Sequence, residues 1–195
     1  FLQGDIVELN RTTREVRFRN TIGEEQTVSY DYVVLATGSK VNYYNIPGAV
    51  DFCLPLKTEQ DIQHIWQTTN KKIIEKQGSI SIAIIGGGPT GIESLYAMKE
   101  YLRKQNIDQP AIHLFEATPM VLPGFDPKIQ EKTLKHLQAD GIHIHLGKPV
   151  QQVNPQTIQL PELAIQYDIA LWCAGIQPNI PAITPPVTSP LSADT

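Results

Sequence analysis

The sequence predicts an α/β fold in which helices cover a parallel sheet, with a β-meander and a β-rich segment added to it. Between residues 80 and 174, apolar runs typical of buried strands alternate with amphipathic helical patterns, as in a helix-covered parallel sheet. Residues 4–38 show strand patterns separated by polar turns. Because 41% of the 195 residues are apolar, the chain can bury a substantial core.

The first forty residues are predicted to contain strands only. The alternating pattern of residues 4–19 predicts a hairpin, and a second turn leads to a third strand at residues 27–29. The run from 30 to 38 has a continuous apolar centre and ends at Gly38. Such a run is typical of a strand that is buried on both faces of a parallel sheet.

Breaks in these patterns indicate three segments. Residues 39–56 contain Pro47, Gly48 and Pro55 and have little periodicity, which predicts a connection between domains. The end of the chain has five prolines in residues 178–195, too many for a regular element. The predicted segments are the end of a first domain (1–50), a second domain (51–178) and an extended tail (179–195).

The second domain is predicted to alternate helices and strands. Thr58, followed three residues later by Asp61, resembles a capping box and predicts the start of a helix. The elements expected are a helix at 58–76, strand at 80–85, helix at 89–105, strand at 111–116, helix at 126–139, strand at 142–146, a strand pair near 149–161 and a strand at 168–174.

Composition excludes several classes of protein. The net charge is −4 and no basic run could follow a phosphate backbone, so nucleic acid is not expected as a partner. The longest apolar run, at residues 169–174, has six residues, far below the ~20 of a membrane-spanning helix. The two cysteines form no CxxC pair, which favours a reducing, cytoplasmic compartment.

The chain has no initiator methionine and no signal segment, so we expect it to begin partway along a longer gene product.

A glycine-rich loop indicates a nucleotide site. A G-x-G-x-x-G pattern follows the apolar strand at 80–85 and precedes a helix, which is the context of a dinucleotide-binding turn. In such a loop the glycines allow a tight turn, close approach of a diphosphate and close packing of helix on strand, and the helix N-terminus attracts the diphosphate. The residues predicted to bind are Gly86, Gly87, Gly88, Pro89, Thr90 and Gly91.

Acidic residues downstream refine this interpretation. The second strand ends in Glu116, where a carboxylate accepts hydrogen bonds from the adenosine ribose and repels a 2′-phosphate. Residues 117–125 contain no Arg or Lys, so the sequence favours NAD(H) over NADP(H). Glu93 lies early in the helix, where the helix dipole alone favours an acid, and only its position behind the loop indicates a nucleotide role.

Two segments, 30–42 and 167–179, align without gaps and match at Tyr, Asp, Gly and Asn positions. Tyr167 follows the loop glycine Gly86 by 81 residues. The same spacing would put a first-copy loop about 50 residues before Phe1. The repeat therefore predicts a dinucleotide domain preceded by the end of another.

These residues resemble the pyridine nucleotide-disulfide oxidoreductase superfamily of flavoproteins that bind FAD and NAD(P), and within it the type II NADH dehydrogenases. The likeness covers residues 1 to about 180. The matching motifs are ATG at 36–38, NYYNIPG at 42–48, Leu56-Lys57, GGGPTGIE at 86–93, FEA at 115–117 and WCAG at 172–175.

The resemblance implies a hydride transfer from NADH to FAD and onward to quinone. It implies that Thr37 and Gly38 lie on the flavin side, that Glu93 positions the nicotinamide, and that Ala174 and Gly175 face NADH. It also implies that residues 1–50 end an FAD domain. The family's first glycine loop and its later flavin-binding and quinone segments are missing, so the chain alone is expected to be inactive. A homodimer and a parent protein bound to the cytoplasmic membrane face are open possibilities.

Two other functions fit the same residues. One is a coenzyme A-disulfide reductase or NADH oxidase of the same superfamily, and the other is a non-catalytic, NADH-responsive signalling module. No metal site is predicted, because His143 and His145 share a strand face without an evident third ligand.

Overall fold

The computed structural model describes residues 1–77, 79–107 and 109–185. The chain forms two compact units. The first unit contains Phe1–Lys40 and the described residues from Pro178 onward, and the second unit contains Val41–Gln177.

The first unit is built on a sheet in which three consecutive strands run antiparallel. Its consecutive strands are β1 (Gly4–Asn10), β2 (Glu15–Asn20) and β3 (Glu25–Ser29). The turn between β1 and β2 is closed by Asn10, whose side-chain oxygen accepts the backbone N–H groups of Thr12 and Thr13, each at 3.0 Å. Leu9 and Phe18 are buried. The predicted hairpin and third strand are confirmed.

The two units divide earlier in the sequence than predicted. After β4 (Ser39–Val41) come the short helix α1 (Ala49–Phe52) and strand β5 (Leu54–Pro55). Residues just before α1 pack into the second unit: the carbonyl of Pro47 accepts the N–H of Val153 at 2.9 Å, and Ala49 is fully buried. The division therefore falls at Lys40 rather than at residue 50.

The second unit contains the predicted alternation of helices and strands. Its further elements are α2 (Glu59–Glu75), β6 (Ser81–Ile85), α3 (Pro89–Lys104), β7 (Ala111–Glu116), α4 (Pro127–Ala139), β8 (His143–Leu146), β9 (Gln152–Asn154), β10 (Thr157–Gln159), β11 (Ala164–Gln166) and β12 (Ile169–Trp172).

The central sheet is wholly parallel, with strand order β5-β12-β6-β7-β8. The chain order reverses at β6, because β7 and β8 extend the sheet on one side and β12 extends it on the other. Strands β9, β10 and β11 form a separate antiparallel meander. The α/β fold with a parallel sheet and a meander is thus confirmed.

Side chains of the central strands alternate between two cores, as the period of a strand requires. Ile82 and Ile84 belong to a core that includes residues of α2, α3 and α4. Ala83 and Ile85 belong to a second core that includes the meander residues Val153, Ile158 and Leu160. A strand covered on both faces needs apolar side chains at every position, which explains the continuous apolar run at 82–85.

Two of the three predicted helices, α2 and α4, begin at a side-chain cap. Thr58 and Asp61 form a capping box in which each side chain accepts the other's backbone N–H, at 3.2 and 2.8 Å. The carboxylate of Asp126 accepts the N–H of Lys128 at 2.8 Å, and Pro127 occupies the first turn of α4.

The prediction of a buried strand at residues 30–38 is wrong. The segment contains no strand, and Tyr32 and Val34 are 94% and 88% exposed. A parallel strand needs hydrogen-bonded neighbours at its edges. The aligned segment forms β12, which has β5 and β6 as neighbours, whereas no described strand pairs with residues 30–38.

The end of the chain is partly regular, which corrects the prediction of an extended tail without regular elements. Strand β13 (Ile176–Pro178) is followed by β14 (Ala182–Thr184), and β14 pairs in parallel with β1. Strand β14 pairs with β1 alone and is therefore an edge strand, where prolines on either side of the strand are tolerated. Residues 186–195 of the predicted tail lie outside the described residues. No helix among the described residues is long and apolar enough to cross a membrane.

Candidate functional site

A cavity of about 460 Å³ lies within the second unit at the carboxyl edge of the parallel sheet. It is lined by the residues that end or directly follow β6, β7, β8 and β12, together with Tyr44 and Ile46. In open α/β sheets, ligands bind outside the carboxyl ends of the strands, at the point where the strand order reverses. The cavity occupies that point.

The turn after β6 is possible only with glycine. Gly86 has a φ of +112°, and a Cβ there would lie 2.6 Å from the carbonyl carbon and oxygen of Cys173. A Cβ at Gly91 would overlap the carbonyl oxygen of Gly86. The two glycines thus let β6, the loop after β12 and α3 approach closely, as predicted from their spacing.

Gly88 has a different function in the loop. It precedes α3 in an ordinary extended conformation, and a Cβ placed on it would meet no atom within 4 Å. No described side chain caps the helix that begins at Pro89, so the N–H groups of its first turn are not satisfied by a cap. The open space at Gly88 is therefore where an anion can reach the positive end of the helix dipole.

The structure places Glu116 at the cavity wall beside this loop. The residue is only 8% exposed, and one carboxylate oxygen accepts the N–H of Gly87 at 2.7 Å. The other oxygen accepts the N–H of Thr118 at 2.8 Å. A Cβ on Gly87 would press on the Glu116 side chain at 3.0 Å. The carboxylate is thus fixed in orientation, and Gly87 gives it room.

Lys148 is a cavity residue that the sequence analysis missed. It follows β8 and lines the cavity together with Glu116, Ala117 and Thr118. Within the described chain, no ion pair holds its ammonium group. Residues 117–125 contain no cation, but Lys148 reaches the same sheet edge from the neighbouring strand, because parallel strands end at one edge.

The opposite side of the cavity is formed by the end of β12. Ala174 lines it, and the Ala174 carbonyl accepts a hydrogen bond from the hydroxyl of Tyr44 at 3.2 Å. Trp172 also lines the cavity, and its indole N–H donates to the carbonyl of Asn42 at 2.8 Å. Tyr44 and Trp172 were not predicted as site residues, because each reads as an ordinary packing aromatic in sequence.

Other predicted site residues do not line this cavity. Glu93 and Thr90 are exposed on α3 and are not part of the wall. Thr37 and Gly38 belong to the first unit, where Asn179 donates to both of their carbonyls, at 3.5 and 3.0 Å. The roles predicted for Glu93, Thr37 and Gly38 stay predictions.

Both cysteines are unsuited to thiolate chemistry at neutral pH. Burial raises the pKa of Cys173, which lines the cavity, to about 11. Burial, with a smaller effect from Cys173, raises the pKa of Cys53 to about 12. Reactive cysteines have lowered pKa values, so these two act as small apolar residues.

Three histidines cluster on the β7–β8 edge of the sheet. The parallel register places His113 beside His143, and a ring nitrogen of His113 lies 3.2 Å from one of His145. His113 is thus a neighbour of this pair that sequence spacing did not indicate. One ring must donate and the other accept, so at least one ring of the His113–His145 pair is neutral. No group of side chains within the described part is arranged to hold a metal ion.

This pair predicts a loss of stability in mild acid. Burial, with the nearby His143 and His145, lowers the pKa of His113 to about 4, and burial, His143 and Lys148 lower that of His145. The unfolded chain binds these protons near pH 6.5, whereas the folded chain resists them, so stability falls as the pH falls from about 6.5 to about 4. Thermal unfolding at several pH values should show a smaller fall for His113→Gln. The exposed control His64→Gln should behave like the unaltered chain, and identical curves for all three would contradict the prediction.

Comparison with known proteins adds a family assignment. A family model described as pyridine nucleotide-disulphide oxidoreductase matches residues 1–187. The external alternative NAD(P)H-ubiquinone oxidoreductase B3 of Arabidopsis thaliana mitochondria is 30% identical, over 90% of this chain and 35% of that protein. The type II NADH:quinone oxidoreductase of Haemophilus influenzae is 27% identical, over 91% of this chain and 48% of that protein. The chain thus spans less than half the length of either relative.

The fold is also similar to solved structures. Plasmodium falciparum NDH2 in complex with NADH superposes with a TM-score of 0.81 at 20% sequence identity. The match covers 90% of this chain and 40% of that one. At this level of identity the similarity concerns the fold.

Proposed function

Because this chain belongs to the pyridine nucleotide-disulphide oxidoreductase family, we propose that its second unit is the NADH-binding part of an FAD-dependent NADH dehydrogenase that reduces quinone. Two neighbouring features support this most directly. Gly88 leaves open space at the uncapped N-terminus of α3, and the Glu116 carboxylate is held in a fixed orientation at the end of the next strand. The first would bind the diphosphate and the second the adenosine ribose.

The order of strands gives the orientation of the nucleotide. The loop after β6 lies between the ends of β7 and β12. With the diphosphate at Gly88, the adenosine half would lie toward Glu116 and Lys148, and the nicotinamide half toward Ala174. The chain's own residues therefore bind and orient NADH, and hydride acceptance requires a separate group.

In the proposed parent protein, bound FAD supplies that hydride-accepting chemistry. The described residues fit NAD(H) but contain little of a flavin site. Within residues 1–77, 79–107 and 109–185, only α3 starts at a glycine-rich turn directly after a strand. The flavin, the quinone, a homodimer and attachment to the cytoplasmic membrane face are part of the proposal for the longer protein. Both sequence relatives have names that specify a quinone.

The 195-residue chain is expected to purify without colour and to bind NADH without oxidising it. The physical reason is that no described side chain can accept a hydride, and no described anion site remains for a flavin diphosphate. An absorbance spectrum and an NADH-consumption assay with a quinone or dye acceptor test this. Stoichiometric yellow absorbance, or steady NADH consumption, would show that residues 1–50 form a working flavin site.

NADH is expected to bind about tenfold more tightly than NADPH, since a 2′-phosphate would lie close to the Glu116 carboxylate. Calorimetric titration of both nucleotides measures the difference. The variants Glu116→Ala and the better-matched Glu116→Gln should reduce the difference between the NADH and NADPH affinities, because both remove the carboxylate charge. Thermal unfolding of each variant controls for loss of the hydrogen bonds to Gly87 and Thr118. Equal affinities, or tighter NADPH binding by the unaltered chain, would contradict the predicted preference for NADH. In that case Lys148, which lines the same cavity, would be the first residue to test as a partner of the 2′-phosphate.

A further inference from the structure

Tyr44 has a backbone conformation that its residue type disfavours. Tyr44 and the following Asn45 have φ values of +50° and +54°, in the left-handed region that residues with a Cβ rarely adopt. Two hydrogen bonds hold this turn. The side-chain oxygen of Asn42 accepts the N–H of Tyr44 at 2.9 Å, and the carbonyl of Tyr43 accepts the N–H of Ile46 at 3.0 Å. These bonds hold the backbone from which the Tyr44 side chain projects.

The ring lies at the wall of the cavity rather than in a core. Tyr44 is 55% exposed and lines the cavity, and its hydroxyl donates to the Ala174 carbonyl at 3.2 Å. A Cβ on Gly175 would overlap that hydroxyl. Gly175 thus makes room for the tyrosine, and the hydrogen bond limits rotation of the ring. By contrast, the adjacent Tyr43 packs against Trp172, with ring centroids 5.3 Å apart.

The position of Ala174 locates Tyr44 relative to a bound nucleotide. Ala174 follows β12, and Glu116 ends β7, on the other side of the glycine loop. Tyr44 therefore lies at the end of the cavity away from Glu116. In the orientation derived above, that end receives the nicotinamide half.

We propose that Tyr44 is a binding residue for the nicotinamide ring of NAD(H), with the tyrosine ring as a wall of the cavity. The inference rests on the proposed function. An aromatic ring held in place before binding gives a planar ligand a stacking surface with little loss of side-chain freedom. Strained backbone at a cavity is typical of such positioning. The adenosine half, at the Glu116 end, should not depend on Tyr44.

Two ligands separate this role from a purely structural one. NADH and ADP-ribose share the adenosine diphosphate ribose part, and only NADH has the nicotinamide. Calorimetric titration of the 195-residue chain should show that Tyr44→Ala weakens NADH binding about threefold to tenfold and changes ADP-ribose affinity less than twofold. Tyr44→Phe keeps the ring, and its NADH affinity should remain within about twofold of that of the unaltered chain. The control Tyr32→Ala, at an exposed tyrosine outside the cavity, should change neither affinity.

Several outcomes would overturn the inference. One is that Tyr44→Ala weakens the binding of NADH and of ADP-ribose equally, and another is that it weakens the binding of neither. The third is that Tyr44→Phe loses as much NADH affinity as Tyr44→Ala. Thermal unfolding of each variant shows whether the fold is retained. If Tyr44→Ala does not fold, Tyr44→Asn takes its place with the same expected result, because asparagine tolerates the left-handed conformation of this position. Failure of the unaltered chain to bind ADP-ribose would refute the nucleotide site itself, and the inference with it.

Discussion

The Gly88→Leu variant is expected to fold like the unaltered chain and to lose at least about 100-fold in affinity for both NADH and NADPH. The backbone at Gly88 has φ −73° and ψ −178°, which any residue adopts, and a Cβ there enters open space. Folding should therefore not be affected. The leucine side chain would instead fill the space in which the diphosphate reaches the helix N-terminus, which removes the main anion site.

Calorimetry and thermal unfolding together test this expectation. Ala97→Leu is the matched control, because Ala97 is exposed on the same helix and the change adds similar bulk away from the cavity. It should bind both nucleotides normally. Retained NADH affinity in Gly88→Leu would mean that the diphosphate does not bind at this loop. A large fall in the unfolding temperature of Gly88→Leu would mean that the space is not open.

A second large effect is expected at Gly91, on stability rather than on binding. A Cβ at this position would overlap the carbonyl oxygen of Gly86, which is backbone and cannot rotate away. Gly91→Ala should force α3 away from β6 and reduce the free energy of unfolding by about 2–4 kcal/mol. The unfolding temperature should fall by about 5–15 °C.

The matched control for Gly91→Ala is Gly88→Ala, which adds the same methyl group in open space at the other end of the loop. Circular dichroism melting curves of the two variants and the unaltered chain provide the comparison. We expect only Gly91→Ala to melt early. Similar melting of all three proteins would contradict the close packing of α3 on β6.

The conformation of the glycine loop could largely be predicted from the sequence, because its signals are local. Gly86, Gly88 and Gly91 lie within six residues between an apolar strand and a helix, and each has the surroundings that its spacing indicates. The position of Glu116 followed in the same way, since it ends the next apolar run and therefore reaches the same sheet edge, while its contact with a ribose stays a prediction. The start of α2 at Thr58 was predicted correctly because a capping box involves only residues of the first turn of its own helix.

Predictions failed where the outcome depends on distant parts of the chain. Residues 30–38 have the apolar pattern of β12, yet that pattern yields a strand only where neighbours supply hydrogen bonds. Lys148 and Tyr44 reach the cavity from positions far from the loop in sequence, so no local motif indicates them. His113 joins His145 only through the register of β7 and β8.

Binding of NADH by the second unit at the glycine loop is tested directly by calorimetric titration of the 195-residue chain with NADH. We expect saturable binding at one site per chain, lost in Gly88→Leu and kept in Ala97→Leu. Absence of saturable NADH binding by the unaltered, folded chain would contradict it.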